Sequence, residues 1–206
     1  MEFKTTMKIL VTHEQIEKSV QKCATMINEK FANTDILVVC ILKGAVYFFT
    51  DLTRKLKDHS CYFIEATSYH DSQSQTGLSI FNSITPKKFA HKHVVLIDEL
   101  YDGGKTINEI KSAIHEKAEV PLDKIFTCTL FKKNKVTEFA PPDLYGILIP
   151  DVWVVGYGLD DKQEKRNYRN LYAVPKVGDV PKTDDDKIFD DANLWDQAIN
   201  KIAKYC

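Results

Sequence analysis

The chain has 206 residues, 44% hydrophobic and 28% charged, with a formal net charge of -1. That fits one α/β domain able to bury roughly 70% of its unfolded surface, and it leaves little room for a second. Near-neutral charge disfavours a nucleic-acid binder driven by phosphate neutralisation, since the basic residues concentrate only at Lys132-Lys133 with Lys135. No apolar run reaches the roughly 20 residues of a membrane span, and the N-terminus shows no charged-then-apolar leader. A soluble, cytoplasmic protein without a membrane partner is expected. The five cysteines form no C-x-x-C pair, and three fall in apolar, strand-like runs, so reduced and buried thiols are expected. His91 and His93 have no further ligand at zinc spacing and read as exposed turn residues.

In chain order, Thr12 and Gln15 form a capping box ahead of an apolar helical face made by Ile16, Val20, Cys23, Ile27 and Phe31. After Asn33-Thr34, residues 36–42 are a continuous apolar run of strand length ending at Lys43-Gly44. Residues 45–56 carry Phe49, Leu52 and Leu56 at helical spacing, completing a strand, loop and helix. A third strand over 61–66 leads into a polar stretch over 67–77, too long for a plain connection. That stretch is either a surface loop or a lid.

The stretch from Val94 to Thr106 organises the rest. Four apolar residues of a buried strand run into the acids Asp98-Glu99, and a short loop, Asp102-Gly103-Gly104-Lys105-Thr106, follows. Ile107, Ile110 and Ile114 then repeat at helical spacing. A loop between a strand end and a helix start, with glycines and a hydroxyl, suits an anion. A Walker A loop would need glycine where Glu99 stands, and a dinucleotide fingerprint would need three glycines. What remains is a phosphate loop preceded by acids, suited to a ligand bearing a phosphate together with hydroxyls or a metal-bound group. A solvated acidic turn would explain the carboxylates but not the Gly-Gly-Lys-Thr.

Further strands are expected over 125–131, ending at Lys132-Lys133, over 146–149 and 152–155, and over 171–174. Residues 152–155 lead into Gly156-Tyr157-Gly158-Leu159-Asp160. From Asp184 the chain turns acidic, and Leu194, Ala198, Ile199, Ile202 and Ala203 then trace an amphipathic helix, expected to pack on the domain or on a partner.

The Val94–Thr106 stretch resembles the phosphoribosyl diphosphate (PRPP) motif of the type I phosphoribosyltransferases. Ser68-Tyr69, Leu42-Lys43-Gly44, Lys132 and Trp153 to Asp160 resemble, in order, the lid entry, pyrophosphate loop, purine-reading lysine and hood of the hypoxanthine-guanine branch. Two departures are the acid order Asp98-Glu99, where Glu-Asp is commoner, and Gly103, where Ser or Thr is usual. Trp153 stands where Phe or Tyr is commoner.

The resemblance implies the type I phosphoribosyltransferase fold, a twisted, mostly parallel sheet flanked by helices with a small hood. The domain would span residues 1–183, hood included, with the acidic segment and C-terminal helix of residues 184–206 outside it. The implied reaction is purine salvage, a 6-oxopurine plus PRPP giving IMP or GMP and pyrophosphate, in a homodimer or homotetramer.

By that resemblance Gly103, Gly104, Lys105 and Thr106 hold the 5'-phosphate. Asp98 and Glu99 hold the ribose hydroxyls and help fix a metal, and Asp102 is the general acid/base beside purine N7. Leu42, Lys43 and Gly44 form the pyrophosphate loop, with a cis Leu42-Lys43 peptide. Lys132 would donate to the purine 6-oxygen, a match that adenine's amino group would spoil. Trp153 and Val154 would stack on and bond the base, and Asp160 would serve both base site and Mg2+. Ser68-Tyr69 would begin a loop that excludes water. The pyrophosphate arginine is Arg166, with Arg169 as the alternative. A xanthine- or strictly guanine-preferring enzyme, and a PRPP-sensing regulator that binds RNA or DNA, stay open as other readings.

Overall fold

Thr12 closes the first strand and starts the first helix. In the computed structural model, which describes residues 7–68, 78–80, 84–175, 184–189 and 191–204, strand β1 (Lys8–Val11) leads directly into helix α1 (His13–Lys30). The capping box is formed: Gln15 N donates to Thr12 Oγ1 at 3.3 Å, and Thr12 N donates to Gln15 Oε1 at 2.9 Å. Such caps contribute about 1 kcal/mol. Ile16, Val20, Cys23 and Ile27 are buried along one face.

Strand β2 (Ile36–Leu42) occupies the expected residues and is covered on both faces, which is why its apolar run is unbroken. The Leu42-Lys43 peptide is cis. Helix α2 (Val46–Thr53) is shorter than expected, because Lys55 N bonds Leu52 O and Leu56 N bonds Thr53 O in tight turns. Strand β3 (Ser60–Ser68) pairs antiparallel with a short β4 (Leu78–Ile80), and α3 (Pro86–Phe89) follows.

The organising stretch forms strand β5 (His93–Tyr101) and helix α4 (Lys105–Ala118). Here the structure corrects the expectation that the acids follow the strand: Asp98 and Glu99 lie inside β5. Backbone pairing with the next strand, β6 (Ile125–Lys133), continues through Asp98, Leu100 and Tyr101, so the change of polarity does not end it. His93 likewise opens β5, with its ring 5.9 Å from that of Phe31, whereas His91 is an exposed turn residue.

Strands β7 (Leu144–Ile149), β8 (Trp153–Val155) and β9 (Leu171–Val174) complete two sheets. One is six-stranded in the order β4-β3-β2-β5-β6-β7, parallel except for β4. The other is a small antiparallel sheet, β1-β9-β8. Helices cover both faces of the large sheet. Residues of α1 and α2 share one core with Val38, Cys40, Val95 and Ile97, and Ile107, Ile110 and Ile114 of α4 share the other with Val39, Val94 and Leu96.

After a 3₁₀ turn (Asp184–Phe189), Asp191 caps helix α5 (Ala192–Ala203). Ile188 and Ile202 join the first core, and the Lys8 ammonium lies 4.9 Å over the Trp195 ring. Cys23, Cys40 and Cys128 are buried, but Cys61 is exposed on β3. No helix among the described residues is long and apolar enough to cross a membrane.

Candidate functional site

Parallel strands place their carboxyl ends on one edge of the sheet, and ligands of open α/β sheets bind outside those ends. Here β2 ends at Leu42, β5 at Tyr101 and β6 at Lys133, so the cis turn, the loop after β5 and the basic run share that edge.

Gly44 is pressed between two of these segments. A Cβ on Gly44 would overlap the Glu99 carboxylate, and a Cβ on Gly158 would overlap the Gly44 carbonyl. The turn after β2, the second acid of β5 and the segment after β8 therefore meet at one point, and only glycine fits there. Lys43 projects outward, its ammonium 3.9 Å from Glu65.

Asp98 is buried, and Glu99 N donates to its Oδ1 at 2.9 Å. Burial, followed by the neighbouring Glu99 charge, pushes the Asp98 carboxyl well above the usual carboxylate range. Among the described residues neither acid forms an ion pair, and adjacent carboxylates of this kind are suited to hydroxyl donors or a cation. Among the described residues no group of three or more His, Cys, Asp or Glu is placed to hold a metal. That donor set fits Mg2+ as it usually binds, through one or two carboxylates and a ligand's phosphates.

The loop after β5 is shaped by Tyr101. Its buried phenol donates to Phe139 O at 2.9 Å and Ala140 O at 3.0 Å, and a Cβ on Gly104 would strike it. Gly104 has φ +85°, the left-handed region that glycine enters without strain, and it starts α4 without a side-chain cap. The first turn of α4 thus remains open to an anion. Gly103 is exposed with nothing within 4 Å of a Cβ, so a hydroxyl-bearing residue would fit.

Asp102 meets lysines, though not the one the sequence singled out. Lys133 Nζ lies 3.3 Å from Asp102 and 3.1 Å from Asp151, and Lys135 bonds Asp102 while standing 3.5 Å from Asp151. Lys132 leaves β6 on the opposite side, with its ammonium 5.7 Å over the Tyr145 ring and 3.4 Å from Lys133 O. Burial pushes the Asp102 carboxyl up, but bonds and charge from Lys135 and Lys133 outweigh it and hold the group below its ordinary range. Lys133, Lys135 and Asp151 were missed as site residues. Their signal was the basic run itself, read as a pair around Lys132.

Beyond β8, Arg166 donates to Gly158 O at 2.7 Å and lies 2.7 Å from Asp160 Oδ1. Gln163 N donates to Asp160 Oδ2 at 2.8 Å. Arg169 instead lines a separate cavity of about 480 Å³ with His13, Glu17 and Tyr47. Trp153 is exposed, free of the core, and Val154 is buried. Ser68 ends β3, while Tyr69 lies outside the described residues.

Residues 6–162 match the model of the phosphoribosyl transferase domain. The chain is 29% identical over 172 residues to hypoxanthine-guanine phosphoribosyltransferase of Streptococcus pneumoniae, covering 83% of this chain and 91% of that one. It is 28% identical to hypoxanthine phosphoribosyltransferase of Buchnera aphidicola, covering 84% and 97%. A crystal structure of a hypoxanthine-guanine phosphoribosyltransferase from Bacillus anthracis superposes with a TM-score of 0.71 at 28% identity, over 82% of this chain and 99% of that one.

Proposed function

The chain belongs to the phosphoribosyltransferase family, and from that membership we propose that it carries out purine salvage, converting hypoxanthine or guanine and PRPP to IMP or GMP and pyrophosphate. The observation that carries this reading is the meeting of Gly44, Glu99 and Gly158 beside a loop whose Asp102 is held by lysines.

In this reading Gly103, Gly104, Lys105 and Thr106 bind the 5'-phosphate with the open first turn of α4, and Asp98 and Glu99 take the ribose hydroxyls. Leu42, Lys43, Gly44 and Arg166 face the pyrophosphate. Trp153 and Val154 flank the base, and the resemblance assigns its 6-oxygen to Lys132, although Lys133 is the lysine that lies beside Asp102. As N9 of the purine bonds to C1', the C1'–O bond breaks with its electron pair leaving on pyrophosphate, and the N7 proton passes to the Asp102 carboxylate. Asp160 would help hold a Mg2+ that neutralises charge on the leaving group, and Asp98 and Glu99 would help fix a second, each together with the ligand's phosphates and hydroxyls. The resemblance assigns to Ser68 and Tyr69, the latter outside the described residues, a part in keeping water from the activated sugar.

The reading extends to a cytoplasmic homodimer or homotetramer, with a catalytic unit of residues 1–183 and an appended segment of residues 184–206. The test is nucleotide formation from PRPP and Mg2+ with hypoxanthine, guanine, xanthine and adenine supplied separately. Turnover with hypoxanthine or guanine, none with adenine, and a loss of about 10²-fold or more in Asp102→Asn is expected. Turnover on none of the four overturns the reading.

A further inference from the structure

Lys133 is the last residue of β6, and Lys135 lies in the tight turn beyond it, where its backbone N donates to Lys133 O at 3.0 Å and the chain folds back on itself. With Asp102 and Asp151 the two lysines close a ring of alternating charge. Lys133 bridges the acids at 3.3 and 3.1 Å, and Lys135 bridges them from the other side. The ring joins three segments: the loop after β5, the end of β6 with the loop beyond it, and the turn before β8. Lys105, the charged neighbour on the Asp102 side, is directed to Glu109 at 3.8 Å.

A clasp serving stability alone would bury both partners. The Lys133–Asp151 pair is largely buried, but the Asp102 side chain is 48% exposed and that of Lys135 31% exposed, and a pair so open to solvent contributes little to folding. Their effect falls on Asp102 itself. The two ammoniums fix the carboxylate from both oxygens, and Asp151 takes up part of the donor capacity of each.

We propose that Lys135 and Asp151 are positioning residues, which hold the Asp102 carboxylate, through Lys133 and directly, in the orientation that accepts the purine proton. Neither touches substrate. The proposal rests on the salvage reading, in which Asp102 is the proton acceptor.

It has consequences of definite sign. Lys135 keeps Asp102 ionised to lower pH than a lone carboxylate, and the Lys135 ammonium is in turn held charged: burial pulls it down, but Asp102 and Asp151 outweigh burial. Removing Lys135 therefore lets Asp102 protonate at higher pH, and turnover fails earlier on the acid side. Removing Asp151 does the reverse, because both ammoniums then lean on one carboxylate.

The experiment follows kcat against pH with hypoxanthine for wild type, Lys135→Gln, Lys135→Arg and Asp151→Asn, together with a carbon-13 titration of the Asp102 carboxyl assigned with Asp102→Asn. In Lys135→Gln the acidic limb of kcat and the carbon titration should both rise by about one pH unit, with the KM for PRPP changed less than about twofold. Lys135→Arg should restore both, and Asp151→Asn should move both downward. An active wild type whose Lys135→Gln variant keeps the wild-type limb and titration overturns the proposal and leaves the salvage reading intact. A wild type inert on every base overturns the salvage reading, and with it the role assigned to the ring.

Discussion

Tyr157 donates its hydroxyl to Asp51 at 2.7 Å, tying the segment after β8 to helix α2 across 106 residues of sequence. The phenol is buried, and burial followed by the Asp51 charge pushes its ionisation well above the ordinary range. The bond holds Gly158 and the Gly44 turn in mutual register, since α2 begins immediately after that turn. Tyr157→Phe should cost about 1.5 kcal/mol, read as a lower urea midpoint with an unchanged slope. It should also raise the KM for PRPP.

The arginines make a sharp contrast. Arg166 is bound to Asp160 and to the Gly158 carbonyl, whereas Arg169 points into a cavity lined by His13, Glu17 and Tyr47. Arg166→Ala should lower kcat/KM for PRPP about 10- to 100-fold, the range set by losing a charge-assisted bond. Arg169→Ala should change it less than about twofold. The reverse order would transfer the pyrophosphate role to Arg169.

Gly44→Ala places a methyl group where the Glu99 carboxylate lies. Either the acid turns away or the Leu42-Lys43-Gly44 turn shifts, and displacements near 1 Å at a reacting centre cost on the order of 10²-fold in kcat/KM. Circular dichroism and thermal midpoint should stay near those of the wild type while activity falls. Equal activity would mean that the turn relaxes without disturbing the site.

Gly103→Ser tests the opposite situation. The position is exposed with open space around a Cβ, so stability should move by less than about 0.5 kcal/mol. The added hydroxyl lies on the loop assigned to the 5'-phosphate, and the KM for PRPP should fall in steady-state kinetics.

Much of this architecture was legible in the sequence, for reasons that differ by element. Ile36–Leu42 and Leu171–Val174 appear as expected because uninterrupted apolar runs bounded by polar or proline residues leave few alternatives. The α1 cap was readable because both halves of the box are local. Strand β1 was not readable, since four residues carry little periodicity and its partner β9 lies about 160 residues away. The extension of β5 through Asp98 to Tyr101 escaped for another reason: main-chain pairing with β6 continues where the side-chain pattern has already changed.

The site divides in the same way. The candidates Asp98, Glu99 and Asp102 were visible because they fall close together in the sequence, in the last residues of β5 and the loop directly after it. The ring of Asp102, Lys133, Lys135 and Asp151 was not, because it is assembled from three segments and its lysines resemble a solvated run.

Tyr101 carries one further implication, for engineering. Its phenol abuts Gly104 on one side and anchors the loop at Phe139 and Ala140 on the other, and that same loop carries Lys135 near its start. The loop assigned to the 5'-phosphate and the lysine beside Asp102 are therefore mechanically geared to one aromatic ring. Substitutions within residues 134–142 are expected to be felt at the loop assigned to the 5'-phosphate unless position 101 is varied in the same library.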